Sequence, residues 1–195
     1  IVGAFLDKKA VCEGIAKAFK LLCNEYSMKC IVVLGKADPE GKFDGDTYHA
    51  WNLVKVGNGS YHVDVTWDNM FDREIEHISY DYFNVTTDDI LKDHQPMGQY
   101  PICTDVGLNY FHCTKSFVCT YEELVMLISE RFNARAIMFK VRQKDSEFQT
   151  IDEVKAKTYF ALSHTMLMKG VNKKAAVLFN EAQWIGKILF PQEEA

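Results

Sequence analysis

The chain has 195 residues, 48% of them hydrophobic and 25% charged, with a formal net charge of −5. That much apolar material fills a sizeable core and excludes a disordered chain, and the acidic balance offers no basic patch for nucleic acid or an anionic membrane. No apolar run approaches the roughly 18 residues needed to span a bilayer, so a soluble globular protein without membrane insertion is expected.

Ile1 is not Met and no basic-then-apolar signal precedes Cys12, which suggests a processed or trimmed chain. A secreted or cell-surface location stays open. Apolar residues then recur at 12, 15/16, 19, 22/23 and 26, the period of a helix that Cys12 opens on its buried face. A thiol in a first turn sits at the positive end of the helix dipole, which favours the nucleophilic thiolate.

Residues 29–34 read as a short strand ending at Gly35, and 38–46 as a polar loop with turn residues. The loop's carboxylates do not have EF-hand spacing, so it is read as solvated and no metal is expected. Residues 48–67 form two runs rich in β-branched and aromatic residues around Gly57-Asn58-Gly59, the pattern of an antiparallel hairpin. With Gly57-Asn58 as the turn, His49 and Asp64 leave one face as diagonal neighbours about 7–8 Å apart at Cβ. An Asn58-Gly59 turn separates them too far, so the former register, or a bulge, is preferred. Trp51 shares that face, Trp67 falls on the other, and His62 lies toward the turn, where a structural role is expected.

Further on, 68–73 is a polar connection, 78–85 an aromatic-rich strand, and Thr86-Thr87-Asp88-Asp89 a helix start capped by Thr87 or Asp88 and ended by Pro96. His94 is expected on the surface. From 101 onward a strand (110–119), a helix (120–132), a strand (135–141), a longer helix (151–168) and two strands (175–180, 183–190) give β-α-β-α-β with the last strand doubled. Two domains are therefore expected, 1–100 and 101–195, the second a packing or partner-binding module. The cysteines at 12, 23, 30, 103, 113 and 119 show neither a Cys-x-x-Cys pair nor zinc spacing.

A His oriented by a carboxylate is half of a nucleophilic constellation, and Cys12 supplies the missing half. Val11-Cys12-Glu13-Gly14, His49-Ala50-Trp51-Asn52 and Asp64-Val65-Thr66-Trp67, in that order, resemble the transglutaminase-like superfamily of papain-like cysteine enzymes, with the short His-to-Asp spacing of its bacterial branch. The resemblance covers roughly residues 1–96. It implies an α+β, papain-like core in which a nucleophile helix packs on an antiparallel sheet, with Cys12, His49 and Asp64 as catalytic triad. It also implies acyl transfer through a thioester on a protein or peptide substrate without a cofactor. Hydrolysis of a peptide or amide bond is preferred, with glutamyl transfer to an amine and an inactive binding module of a larger surface protein as alternatives. Trp51 is the candidate substrate contact.

Overall fold

The computed structural model describes residues 2–6, 9–45, 47–69 and 77–191. The chain divides into two compact units, one comprising the described residues up to Asn69 with Ile78–Tyr110, the other running from Phe111 onward.

In the first unit α1 (Val2–Phe5) precedes α2 (Cys12–Glu25), after which β1 (Lys29–Ala37), β2 (Tyr48–Val56) and β3 (Gly59–Val63) form a meander. Two short helices, α3 (Val65–Asp68) and α4 (Thr87–Ile90), and β4 (His94–Pro96) complete it, and the sheet order is β3-β2-β1-β4, every pair antiparallel. Val56 pairs with Gly59, so the turn is Gly57-Asn58. Gly57 has φ +60 while Asn58 does not have positive φ, the pattern of a type II′ turn, in which the first central position calls for glycine.

Alternation along β2 divides the core. Asn52 and Val54 face α2, where Val54 packs with Cys23, Cys30, Tyr61 and Val63, while Trp51 and Leu53 pack on the other face with Val33, Tyr82, Val85 and Ile90. Gly35, paired with His49, makes this second face possible: a Cβ there would lie 2.3 Å from the Gln95 carbonyl oxygen and 2.8 Å from the Trp51 ring.

Three expectations are corrected. Residues 78–85 form no strand: only Val85 bridges to His62, and Tyr80 and Tyr82 are spent on ring packing and side-chain hydrogen bonds instead. The α4 cap is Thr86, whose hydroxyl accepts from the Asp89 N–H, one residue earlier than expected. Asp64 lies not within a strand but at the N-cap of α3, so the alternation that put Trp67 on the far face stops there. The remainder of the polar connection, residues 70–73, and position 46 of the acidic loop lie outside the described residues.

In the second unit β5 (Phe117–Val118), α6 (Tyr121–Glu130), β6 (Ala136–Val141), α7 (Ile151–Lys169), β7 (Ala176–Asn180) and β8 (Ile185–Leu189) make a mixed sheet of order β5-β6-β8-β7. Its first segment departs from the expected strand, since a helical turn, α5 (Tyr110–Cys113), occupies the start of 110–119 and leaves only β5 extended. Thr120 and Glu123 form a reciprocal capping box on α6, Thr150 caps α7, and Gly170 ends α7 at φ +64.

Candidate active site

The hairpin brings His49 and Asp64 together as its register requires: His49 Nε2–H donates to Asp64 Oδ2 at 2.6 Å. Asp64 is fully buried, and its other oxygen, Oδ1, accepts from the N–H groups of Thr66 and Trp67 at 2.9 and 3.2 Å. One carboxylate thus caps α3 and holds an imidazole. With Nε2 committed to Asp64, the His49 nitrogen left for proton transfer is Nδ1.

Sequence reasoning missed the next member. His94, expected on the surface, is 1% exposed, and its Nε2–H donates to the same Asp64 Oδ2 at 3.1 Å while its Nδ1–H donates to Asp93 Oδ1 at 2.6 Å. Carboxylates only accept, so both ring nitrogens carry protons and His94 is an imidazolium. Burial alone would push its pKa down, but the bonds from Asp64 and Asp93 and their charges outweigh burial and raise it. Burial likewise works to raise the Asp64 pKa and is overcome by the hydrogen bonds and charges of His49 and His94, so the carboxyl stays below its ordinary value. The chain of bonds ends at Tyr82, whose hydroxyl donates to Asp93 Oδ2 at 2.8 Å. An Asp-His pair at this point of the chain carries no spacing signal, because the contact spans 30 residues from Asp64 to His94.

Aromatic rings enclose this network. The His94 ring lies 4.5 Å from Trp67, 5.0 Å from Trp51 and 5.3 Å from Tyr82, and the His49 ring lies 6.2 Å from Trp51 and 5.6 Å from Trp67. Trp51, the expected substrate contact, is fully buried, and its indole N–H donates to His62 Nδ1 at 3.1 Å. Its ring therefore supports the imidazoles from the core side. His62 has the structural role expected of it: with Nδ1 accepting, Nε2–H donates to Thr87 Oγ1 at 3.2 Å. Burial, and then repulsion from His94, push its pKa down to about 4, so it is neutral.

His49, Asp64 and His94 offer ligand atoms all within 4.8 Å of one another, a grouping that also suits a metal ion. A tetrahedral zinc with bonds of about 2.0–2.1 Å would spread its ligand atoms to roughly 3.3 Å. The 2.6 Å contact between His49 and Asp64 has the length of a hydrogen bond instead.

Cys12 is the first residue of α2 and is half-buried. Val11 offers no side-chain cap to that helix start, and Ile15 N–H bonds the Val11 carbonyl, so the earlier amides of the first turn have no intrahelical acceptor. The Asn52 side chain donates to the Ala16 carbonyl at 3.0 Å, which joins α2 to β2 one turn after Cys12. α2 also packs against β1 and α3. The structure thus brings His49, Asp64 and His94 into contact and places Cys12 apart from them in the contacts described, at the start of a helix packed on β1 and β2. None of the six cysteines is joined in a disulfide among the described residues.

No curated protein matches the chain. Residues 1–65 match the model of the transglutaminase-like superfamily, a segment that contains Cys12, His49 and Asp64. Members of that superfamily are usually cysteine enzymes, and it is over residues 1–65 that this chain is similar to them.

Proposed function

We propose that the protein is a cysteine-dependent acyl-transfer enzyme in which Cys12 is the nucleophile, His49 the general base and acid, and Asp64 the group that orients His49. The observation that carries this reading is the His49–Asp64 hydrogen bond, 2.6 Å long and fully enclosed on the carboxylate side, which leaves Nδ1 for the thiol proton. The Asn52 clamp supports the position of the thiol. From Ala16 back to Cys12 the helix rises about 6 Å, and from Asn52 back to Ala50 the strand runs about 6.6 Å. Phe19 and Cys23 pack farther along with Val54, so α2 and β2 run the same way and Cys12 lies toward the Ala50 end of the strand, the end from which His49 also comes.

In the first step His49 Nδ1 takes the Cys12 proton and the sulfur attacks a carbonyl carbon. The oxyanion is met by first-turn amides of α2, with the backbone N–H of Cys12 among them. Collapse expels the amine, which leaves with the proton returned by His49, and a thioester remains on Cys12. Water activated by His49 then releases the acid and regenerates the thiol.

Water is favoured over an amine as acceptor. The loop between β1 and β2 joins the sheet at its His49 end and is polar, with Pro39, Glu40, Lys42, Asp44 and Gly45 exposed. Asp38 folds it by accepting from the N–H groups of Glu40 and Phe43 at 2.9 and 3.0 Å. Trp51, the apolar residue that would protect a thioester from water, is in the core.

Incubation with a glutamine-containing peptide library and a labelled primary amine tests the assignment. Shortened or deamidated peptides that require Cys12 support hydrolysis. Label at Gln with little hydrolysis replaces it by glutamyl transfer, and no product with a Cys12 that resists alkylation places the chain among binding modules.

A further inference from the structure

We infer that His94, which lies outside the family-matched segment, is a positioning residue that sets the proton affinity of the Cys12–His49 pair by sharing Asp64 Oδ2 with His49. This rests on the triad reading above. Asp64 Oδ2 receives two imidazole N–H groups, at 2.6 Å from His49 and 3.1 Å from His94, so the negative charge facing His49 is divided. A single buried carboxylate would hold a protonated His49 tightly and so raise its proton affinity. An imidazolium on the same oxygen weakens that hold.

The groups facing His94 define the balance. Asp93 lies beside it in sequence, Asp64 heads α3, His49 comes from β2, neutral His62 from β3, and the Tyr82 hydroxyl is bonded to Asp93. Charges therefore alternate along Asp93, His94, Asp64 and, when protonated, His49. The Trp67 and Trp51 rings, with centroids 4.5 and 5.0 Å from that of His94, lie within cation–π distance in a site closed to water.

The test is the rate of Cys12 carboxymethylation by iodoacetamide as a function of pH, read by mass spectrometry, in the wild type, His94→Gln and His49→Ala. The glutamine side chain keeps a donor for Asp64 but carries no charge. Removing a nearby positive charge raises proton affinity at both reacting groups, so both limbs of the profile are expected to move to higher pH by about one unit in His94→Gln. A rate that falls uniformly without displacement, or does not change, overturns the inference. An unchanged rate in His49→Ala removes the triad itself, a failure distinct from an unshifted His94→Gln profile. If His94→Gln does not fold, nitrogen-15 NMR of the wild type decides: both His94 ring nitrogens protonated at neutral pH support the role, and a single neutral tautomer overturns it.

Discussion

Asn52 reaches from β2 to the Ala16 carbonyl at 3.0 Å and ties α2 to the sheet one turn after Cys12, at a helix start that Val11 does not cap with its side chain. The same Nδ2 also approaches the Ile31 carbonyl at 3.4 Å, while Asn52 Oδ1 is buried without a partner. Asn52→Ala removes the clamp together with that unpaired acceptor, so its cost is expected at the low end for a buried polar contact, about 1–2 kcal/mol in urea unfolding. Cys12 alkylation should nevertheless slow, because the helix start is no longer held in register. A variant that keeps the wild-type alkylation rate would show that α2 is positioned by its apolar face alone.

Replacing Asp64 by Asn puts an amide where two imidazole donors converge. Asn can still cap α3, as Asp64 does through Oδ1, so the fold of that turn survives while the His49 tautomer is lost. Turnover, once an assay is in hand, is expected to fall by about 10³–10⁴-fold. A fall of less than tenfold would mean that Asp64 serves the helix and not the histidine.

Gly35 sits opposite His49 with no room for a side chain. Gly35→Ala drives a methyl against the Gln95 carbonyl and the Trp51 ring, and backbone on one side cannot yield cheaply. About 2–3 kcal/mol of destabilisation is expected from chemical denaturation. An unchanged midpoint would place β4, and with it His94, farther from β1 than described.

The hairpin and its partners were legible because they are local. A two-residue turn containing Gly57 sets the pairing of every residue from 52 to 63, and period-2 alternation then puts His49 and Asp64 on one side. Thr120 followed by Glu123 likewise announces the start of α6. What escaped was decided by tertiary contacts. Asp64-Val65-Thr66-Trp67 alternates as well as any strand, yet Asp64 turns the backbone by capping it, which swings Trp67 onto the imidazoles. Residues 78–85 have strand composition but spend their aromatic rings on one another and on His94. His94 gave no sign of burial because a histidine among polar neighbours looks solvated until Asp64 arrives from 30 residues away.

Stability should respond to acid through His62. Its pKa is about 4 in the fold against an ordinary 6.5, so the unfolded chain binds a proton that the folded one refuses. Stability is therefore intact above pH 6.5, falls as pH drops toward about 4, and levels off for this group below that, a loss of about 3 kcal/mol. His94 is shifted the other way: its contribution is complete below 6.5 and is lost only as pH rises through its raised value, so it is constant across the acid window. Thermal unfolding as a function of pH should show the acid slope in the wild type and a flatter one in His62→Gln. Equal slopes would assign the acid sensitivity to other groups.

The central claim is that Cys12 is a thiol activated by His49, and the other cysteines provide the comparison within one molecule. Cys113 is exposed and Cys119 half-buried, so accessibility alone favours Cys113 over the half-buried Cys12. With iodoacetamide at less than one equivalent and neutral pH, peptide mapping of the native protein should find the label on Cys12 at least about tenfold faster than on Cys113, and His49→Ala should abolish that preference. Label appearing first on Cys113, or a Cys12 preference that survives His49→Ala, would contradict the account.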